Sequence, residues 1–544
     1  MKLWQAIALL CLIWAMIYLT LLGSQELRGE EARRILPAQE MLDTGDWVVP
    51  RIAGEVYSNK PPLINWMIAV SFYLTGSQSE FSARLPAAIS LLALTLGALL
   101  SLHRFLGIDR AMAVGLVLLT AIAMIDKGRM AEIETVYIAV FGLACFIWVR
   151  LWGAQSSPWL IWTIPYFFLG LGWLTKGPVH LIFWILFLVF VLRSARRLRD
   201  MLHPAHILGL GIMALLFLPW MSANIAAVDA PQESVSTWFE QLKMRVDFSE
   251  VDAGDWLLRP LEILANFLPW TIPLLFSLIW LRRSKEKPTR LAPTNDRFAA
   301  IIPGALLASA AGCLIICLIS GGTPRYVMPV YPLAAVALVG IYTHLPKKPR
   351  DLYEKFTRYS LLVICPLLLL ASLGIAVSAV QRDLSIAWQP FVFGAAFLVA
   401  ILLFLVKYRI LPDLFLFSSL TIAAGAMMLI AATTPLLESH RSMRDTAAAL
   451  LNRAKSSDRT LVVYANSAFR SGYTKELRLL YYLSPELIAT GESGTIPEGE
   501  LLVFGRPGLE KALAKRGFKF RVQSRDQITV DGRLLALLEL KVAK

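Results

Sequence analysis

Thirteen apolar stretches of near membrane-spanning length constrain this 544-residue chain more than any single motif. They lie near 4–22, 81–102, 111–126, 133–150, 158–175, 177–193, 205–223, 257–281, 298–320, 326–344, 360–380, 388–406 and 411–435. An α-helix needs roughly 20 residues to cross about 30 Å of hydrocarbon. Only helices and closed barrels satisfy their backbone there, and these runs are too long for barrel strands. The sequence therefore predicts a mainly α fold, a polytopic membrane bundle of about 13 transmembrane helices. A small α/β domain follows it.

The gaps between the stretches set the orientation. With the N-terminus in the cytoplasm, alternate gaps (Lys2, 104–110, 150–157, 194–204, 282–297, 345–359, 407–410) face inward. With flanking residues such as Arg193 they hold 21 Lys and Arg against seven acids, an excess equal to the chain's net charge of +14. The positive-inside bias thus accounts for the basic balance, and nucleic-acid binding is not needed to explain it. Cys11, Cys145, Cys313, Cys317 and Cys365 all fall inside apolar stretches, so no disulfide is expected in an outer segment. Cys313 and Cys317, one turn apart, read as packing residues. The first stretch lacks a small-residue cleavage site and reads as a retained helix.

Three outward segments remain: 23–80, 224–256 and the tail from 436 to 544. In the tail, short apolar runs (Thr460–Ala465, Leu501–Gly505, Phe518–Val522, Leu534–Leu540) alternate with helical patterns (Met443–Ala454, Lys475–Tyr482, Gly508–Arg516). That alternation predicts an α/β domain that covers or docks onto the membrane part. The division is thus 1–435 for the membrane domain, with outer loops 23–80 and 224–256, and 436–544 for the tail.

Chemistry concentrates in 23–80. Glu30, Glu31 and Arg33 stand just beyond the first apolar stretch, where charges are costly and tend to be functional. Glu30 and Arg33 share a helical face, and Pro37 predicts a helix start or kink. Gly45-Asp46-Trp47 reads as a turn. After Tyr57, Lys60 is held extended by Pro61-Pro62. On composition alone the same segment equally suits an amphipathic surface helix with a solvated face. Glu134 should lie at the hydrocarbon edge, where a carboxylate needs a cation or water. Lys176, Arg245, Arg259, Arg325 and Tyr326 fall at neighbouring outer edges. Cations around a few carboxylates over an apolar bundle suit an anionic lipid head group, with one carboxylate left as base.

Glu30-Glu31-x-Arg33, Glu40-Met41-x-x-x-Gly45-Asp46-Trp47 and Tyr57-x-x-Lys60-Pro61-Pro62-Leu63 resemble the bacterial polyprenyl-phosphate-sugar glycosyltransferases. These include the aminoarabinose transferase of lipid A and, more distantly, protein O-mannosyltransferases, all of the C-type glycosyltransferase fold. Arg129…Glu134, Leu174-Thr175-Lys176-Gly177-Pro178, Leu268-Pro269-Trp270 and Arg325-Tyr326-x-x-Pro329-x-Tyr331-Pro332 extend the match to about residue 435. The resemblance implies a bacterial inner-membrane enzyme with a periplasmic C-terminal domain. It would move a sugar from an undecaprenyl-phosphate-like donor to lipid A or another envelope glycan or lipid, with inversion. It implies Glu30 as base where relatives carry Asp, with Glu31 and Glu134 as further acidic candidates. Arg33, Lys60, Lys176, Arg245 and Arg325 would hold the lipid phosphate, and Tyr57 and Tyr326 would line the substrate. Relatives carry an acid before the lysine of Lys-Pro-Pro and a histidine ahead of the arginine matched by Arg245. Here Asn59 and Glu240-Gln241 stand in those places, a departure that puts the divalent metal of such relatives in doubt and leaves it an open alternative, and His180 and His440 read as structural. No other cofactor is implied. A transporter or lipid-linked-sugar flippase is the alternative, but it calls for mid-span charges and internal repeats that the sequence does not show.

Single cysteines introduced near 490 should react with an impermeant maleimide from outside intact cells, and those near 287 should not. The reverse pattern would place Glu30 and Lys60 in the cytoplasm and overturn the functional reading.

Overall fold

The computed structural model describes the chain apart from residues 58, 228–252, 284–295, 320–321, 409–412, 440–442, 465–473, 484–487, 491–497, 506, 516, 531–532 and 543–544. Helices fall on all thirteen apolar stretches. Among the described residues eight helices are long and apolar enough to cross a membrane, or up to ten if each of two bent pairs counts as one span. The segments Leu3–Leu19 and His180–Ser194 are apolar but shorter. By length and composition eight to ten of the thirteen expected passes are thus supported among the described residues, and the remaining stretches form helices that are shorter or less apolar. Ile108–Thr120 and Ile122–Gly128 meet at 65°, and Trp256–Asn266 and Thr271–Arg283 at 98°.

Side chains behave as a lipid solvent demands. Leu215, Leu370, Phe393 and Leu403 point outward from spanning helices and are well exposed. The interior is packed through small residues. A Cβ on Gly142 of helix Ile133–Gly153 would meet Leu94 at 2.4 Å and Pro332 at 2.8 Å, so three helices approach closely at that point.

The first outer segment is an ordered platform. Helix Ala32–Thr44 runs through Pro37 and stops where Gly45 takes a left-handed φ of 74°. The turn after it is held by Asp46, whose Oδ1 accepts from the Val48 and Val49 N–H groups at 3.0 and 3.2 Å. Buried Pro61 and Pro62 lead into helix Leu63–Thr75. Ser79 then accepts from the Ser82 N–H, and acidic Glu80 sits in the first turn of Glu80–Leu106, facing the positive end of the helix.

Beyond helix Leu414–Ser439 the tail forms the α/β arrangement expected. Strands Thr460–Tyr464, Ile488–Thr490, Gly499–Gly505, Phe520–Val530 and Arg533–Val542 make one mixed sheet. Thr460–Tyr464 lies parallel to Ile488–Thr490 on one side and to Gly499–Gly505 on the other, and the last two strands add antiparallel. Ile488–Thr490, too short and mixed to carry a period-2 signal, was not legible in the sequence. Helix Thr474–Leu483 packs on the first outer segment, so Leu27, Ala32 and Ile35 share one core with Leu477, Leu480 and Tyr481. The Leu27 N–H donates to Tyr482 Oη at 2.8 Å, and Arg478 Nη1 donates to the Leu27 carbonyl at 3.2 Å.

Arg84 ties these layers together. Its Nε and Nη2 donate to Glu31 at 2.7 and 2.9 Å, and its Nη1 donates to the Leu22 and Gln25 carbonyls at 2.8 and 2.9 Å. Nη2 also reaches the Glu26 carbonyl at 3.1 Å, so all five guanidinium N–H groups are used. Removing one partner of a fully buried pair leaves an uncompensated charge. Arg84→Met should therefore cost about 3–5 kcal/mol, read as a fall in thermal midpoint of the detergent-solubilised protein. A midpoint within experimental error of the parent would show that Arg84 does not organise the loop.

Candidate active site

The charged residues the sequence scattered over four outer edges converge at one end of the bundle. Four elements build the centre: the Glu30–Arg34 turn, the start of Ile133–Gly153, the end of Pro158–Lys176, and the short helix Pro324–Val330. Glu134, in the first turn of its helix, is buried. Lys176 Nζ donates to its Oε1 at 3.1 Å, and Arg325 Nε lies 4.0 Å from the same oxygen. The cation expected beside a carboxylate at the hydrocarbon edge is thus supplied twice. Lys176 also sits over the rings of Tyr326 at 4.9 Å and Tyr137 at 5.8 Å.

Glu30 is the more accessible carboxylate, its side chain 31% exposed. Arg33 Nη1 donates to its Oε2 at 2.9 Å, which is the one-turn pairing read from the spacing, and Arg34 Nη2 stands 4.0 Å away. The Glu30 N–H donates to Glu132 Oε1 at 3.2 Å. Gly29 makes that approach possible. It takes a φ of 55°, and a Cβ there would come within 2.8 Å of Glu132 Oε1.

Glu31 has a different setting. It is fully buried, and its oxygens accept from Arg84, from the Ala131 N–H at 2.9 Å and from the Arg28 N–H at 2.8 Å. Burial alone would raise its carboxyl. The Arg84 charge and hydrogen bonds, with the two backbone donors, bring it below the ordinary value. The four lone-pair directions of this carboxylate are therefore already taken.

Three participants were missed in the sequence. Arg34 is buried and reaches Tyr57 Oη at 3.4 Å. Burial would lower its pKa, but Tyr57, then Glu30, Glu134 and Glu132, more than offset this and raise it. Its guanidinium therefore links the loop carboxylates to the helix carboxylates. Glu132 is buried and takes Lys127 Nζ at 2.9 Å, yet burial, followed by the charge of Glu134, holds its carboxyl above the usual range. Arg84 is the third. The signal for each was an ionisable residue beside one already chosen, or at the start of an apolar run.

Other positions fall as follows. Tyr57 is buried against Arg34, and Lys60 is half-buried just before the Pro61-Pro62 pair. Arg245, Glu240, Gln241 and His440 lie outside the described residues. Arg259 donates to the carbonyls of Ile316, at 3.1 Å, and Ile319, two residues that line a cavity beginning at Glu134. Arg129 closes the end of the first helix through the Ile17 and Thr20 carbonyls. His180 is buried between Tyr137 Oη at 3.1 Å and the Leu169 carbonyl at 2.9 Å, a structural setting. Glu30, Glu31, Glu132 and Glu134 each have a Lys or Arg on a carboxylate oxygen, so these acids are balanced by side chains and do not form an open metal cradle. Among the described residues no group of three His, Cys, Asp or Glu could hold a metal ion.

From Glu134, Lys176 and Arg325 a cavity of about 120 Å³ runs between Ile138, Val179, Phe183, Ile316 and Pro329. It is a charged head on an apolar groove.

Residues 59–222 match the model of the dolichyl-phosphate-mannose-protein mannosyltransferase family. An undecaprenyl phosphate-α-4-amino-4-deoxy-L-arabinose arabinosyl transferase from Serratia proteamaculans is 27% identical over 288 residues, covering 51% of this chain and 50% of that protein. The chain thus spans about half the length of that relative. An uncharacterized protein of Aquifex aeolicus is 24% identical over 413 residues, 75% of this chain and 74% of the other. The crystal structure of ArnT from Cupriavidus metallidurans bound to undecaprenyl phosphate superposes with a TM-score of 0.69 at 18% identity, over 98% of this chain and 97% of that one. The chain has the fold of that protein, the C-type glycosyltransferase fold. The resemblance to polyprenyl-phosphate-sugar glycosyltransferases read from the sequence is borne out by these matches.

Glu31 also gives a pH test. Its folded pKa is depressed, so its contribution is present above the unfolded value of 4.5 and is lost as pH falls through the folded value. Thermal midpoints of the parent should fall as pH drops below 4.5, whereas Glu31→Gln should start lower at neutral pH and be flatter through that window. Parallel curves would mean that the Arg84 pair carries no such linkage.

Proposed function

We propose that this chain is a multi-pass inner-membrane glycosyltransferase. It moves a sugar from a polyprenyl-phosphate donor to lipid A or another cell-envelope glycan or lipid on the outer face. The observation that carries the reading is the pairing of an apolar groove with Lys176 and Arg325 at its head. A prenyl chain matches the groove and its phosphate matches the two cations. The family match and the fold likeness to a transferase favour transfer over transport or flipping. We place the N-terminus in the cytoplasm, about thirteen helical passes in 1–435, and the 436–544 domain in the periplasm.

Glu30 is the base in this reading. It is the loop carboxylate with exposed surface, and Arg33 and Arg34 orient it. It takes the proton of the acceptor hydroxyl as that oxygen attacks the anomeric carbon. The bond from that carbon to the phosphate oxygen breaks and its electron pair leaves with the polyprenyl phosphate. One displacement inverts the centre. Lys176 and Arg325 receive the departing charge, with Arg33, Lys60 and Arg245 as further phosphate contacts and Tyr57 and Tyr326 along the substrate. Phosphate must compete with Glu134 for Lys176. Glu134 thus holds the cations in place in the empty site and repels the product phosphate after transfer. Glu31 is a positioning residue, sealed behind Glu30.

Release of polyprenyl phosphate from a sugar-charged donor, by protein in lipid vesicles, tests these roles. Glu30→Gln should lower turnover by about 10²–10⁴-fold at parental expression, and Glu30→Asp should keep part of it. Lys60→Ala should abolish transfer, while Lys60→Arg, which retains charge in a wider fork, should keep a fraction. Full activity in Glu30→Gln with loss only in Glu134→Gln would move the base to Glu134.

A further inference from the structure

A second cavity, of about 450 Å³, opens where the C-terminal elements meet the first outer segment. Gln39 and Asp43 of helix Ala32–Thr44 form one wall, Gln78 and Glu80 a second, and Arg444, Tyr481 and Tyr482 a third. Each of these seven residues carries a hydrogen-bonding side chain, in contrast to the apolar groove at Glu134. The volume lies within the range of small-molecule sites.

Much of the wall is internally paired and therefore preset. Arg444 Nη2 donates to Glu80 Oε1 at 2.5 Å and Tyr482 Oη donates to the same oxygen at 3.1 Å. Tyr481 Oη donates to the Gln78 carbonyl at 2.7 Å, and Gln39 Nε2 donates to Gln78 Oε1 at 2.8 Å. Gln39 Oε1 is left over. The residue is 6% exposed, and this buried oxygen has no hydrogen-bond partner. An unpaired amide oxygen at that depth is costly, and such groups call for a donor from elsewhere. Asp43, on the exposed rim, adds a second acceptor.

Charge narrows the donor. Arg444 is matched by Glu80, and Asp43 leaves the cavity net negative, which disfavours phosphate and carboxylate groups. Tyr481 and Tyr482 pack edge to face with centroids 4.9 Å apart, and the Arg444 guanidinium lies over the Tyr482 ring at 5.7 Å, so this wall is rigid. We propose that this seam is a saccharide-binding site. It takes a neutral or amino-bearing sugar unit whose hydroxyl or amino groups donate to Gln39 Oε1 and Asp43. The site stands apart from the transfer reaction, and its test needs no turnover.

Saturation-transfer NMR on the full-length chain in detergent, with chitobiose as probe and an unsaturated hyaluronan disaccharide as its anionic counterpart, decides it. Chitobiose should receive saturation and the uronate-bearing disaccharide should not. Gln39→Leu should weaken chitobiose binding about tenfold, the loss of one hydrogen bond to a ligand. A merely structural Gln39 would leave binding unchanged in a variant that still folds. Asp43→Asn, on the rim and outside the core, should weaken binding several-fold with an unaltered thermal midpoint, so the inference stays testable if Gln39→Leu unfolds. Absence of transfer to millimolar chitobiose, equal transfer to both disaccharides, or parental binding in both variants would overturn it and leave the cavity to water.

Discussion

The buried pair of Arg84 and Glu31 is the constraint on which the end of the molecule that carries the site depends. One guanidinium satisfies the carboxylate and three carbonyls of the chain leaving the first helix, and the carboxylate in return accepts from Arg28 and Ala131. Two charges withdrawn from water are expensive, and their attraction offsets that cost only when every remaining donor and acceptor is filled. Here they are filled. The reward is geometric, because the turn carrying Glu30 is fixed against helix Glu80–Leu106 and against the strand of chain that leads to Glu134. A hydrophobic pair would pack as well but would give the loop no directional anchor.

From that anchor the electrostatics follow. Positive and negative side chains alternate across the site: Arg33 on Glu30, Lys127 on Glu132, Lys176 and Arg325 on Glu134, with Arg34 among them. The five cations outnumber the three carboxylates, so the empty site keeps a positive excess that suits an anionic head group at the edge of hydrocarbon. On the proposed reading an incoming phosphate replaces one carboxylate in the lattice and does not have to bring new cations into place. In the proposed reaction, the groups that bind the donor are then those that meet the charge developing on the leaving phosphate, at little cost of reorganisation.

The C-terminal elements extend the same logic outward. They grip the N–H and carbonyl of Leu27 through Tyr482 and Arg478, and Arg444 binds Glu80 one helical turn ahead of Arg84. The loop that bears Glu30 is therefore held by the membrane helix on one side and by the domain on the other. The seam cavity between them lies against the same platform.

The sequence determined a good deal by itself. Apolar length and basic gaps dictated a polytopic helical bundle, since hydrocarbon accepts no other fold with such runs. Short apolar runs and helical patterns in the tail located four of the five strands described there, three of these and the helices to within a few residues, while the run Phe518–Val522 caught only the start of strand Phe520–Val530. The pairing of Glu30 with Arg33 followed from one turn of helix, and the need of Glu134 for a cation followed from its depth. The tertiary structure alone decided the rest. Glu30 and Glu31 are adjacent and chemically alike, yet one is accessible and the other sealed by Arg84, fifty-three residues away. Lys176 and Arg325 meet at Glu134 only because three helix ends pack together, and Arg34 and Glu132 join them through space. Local pattern reports which face an element buries. It carries no information on which distant charges share a low-dielectric pocket, and at this membrane edge that sharing defines the site.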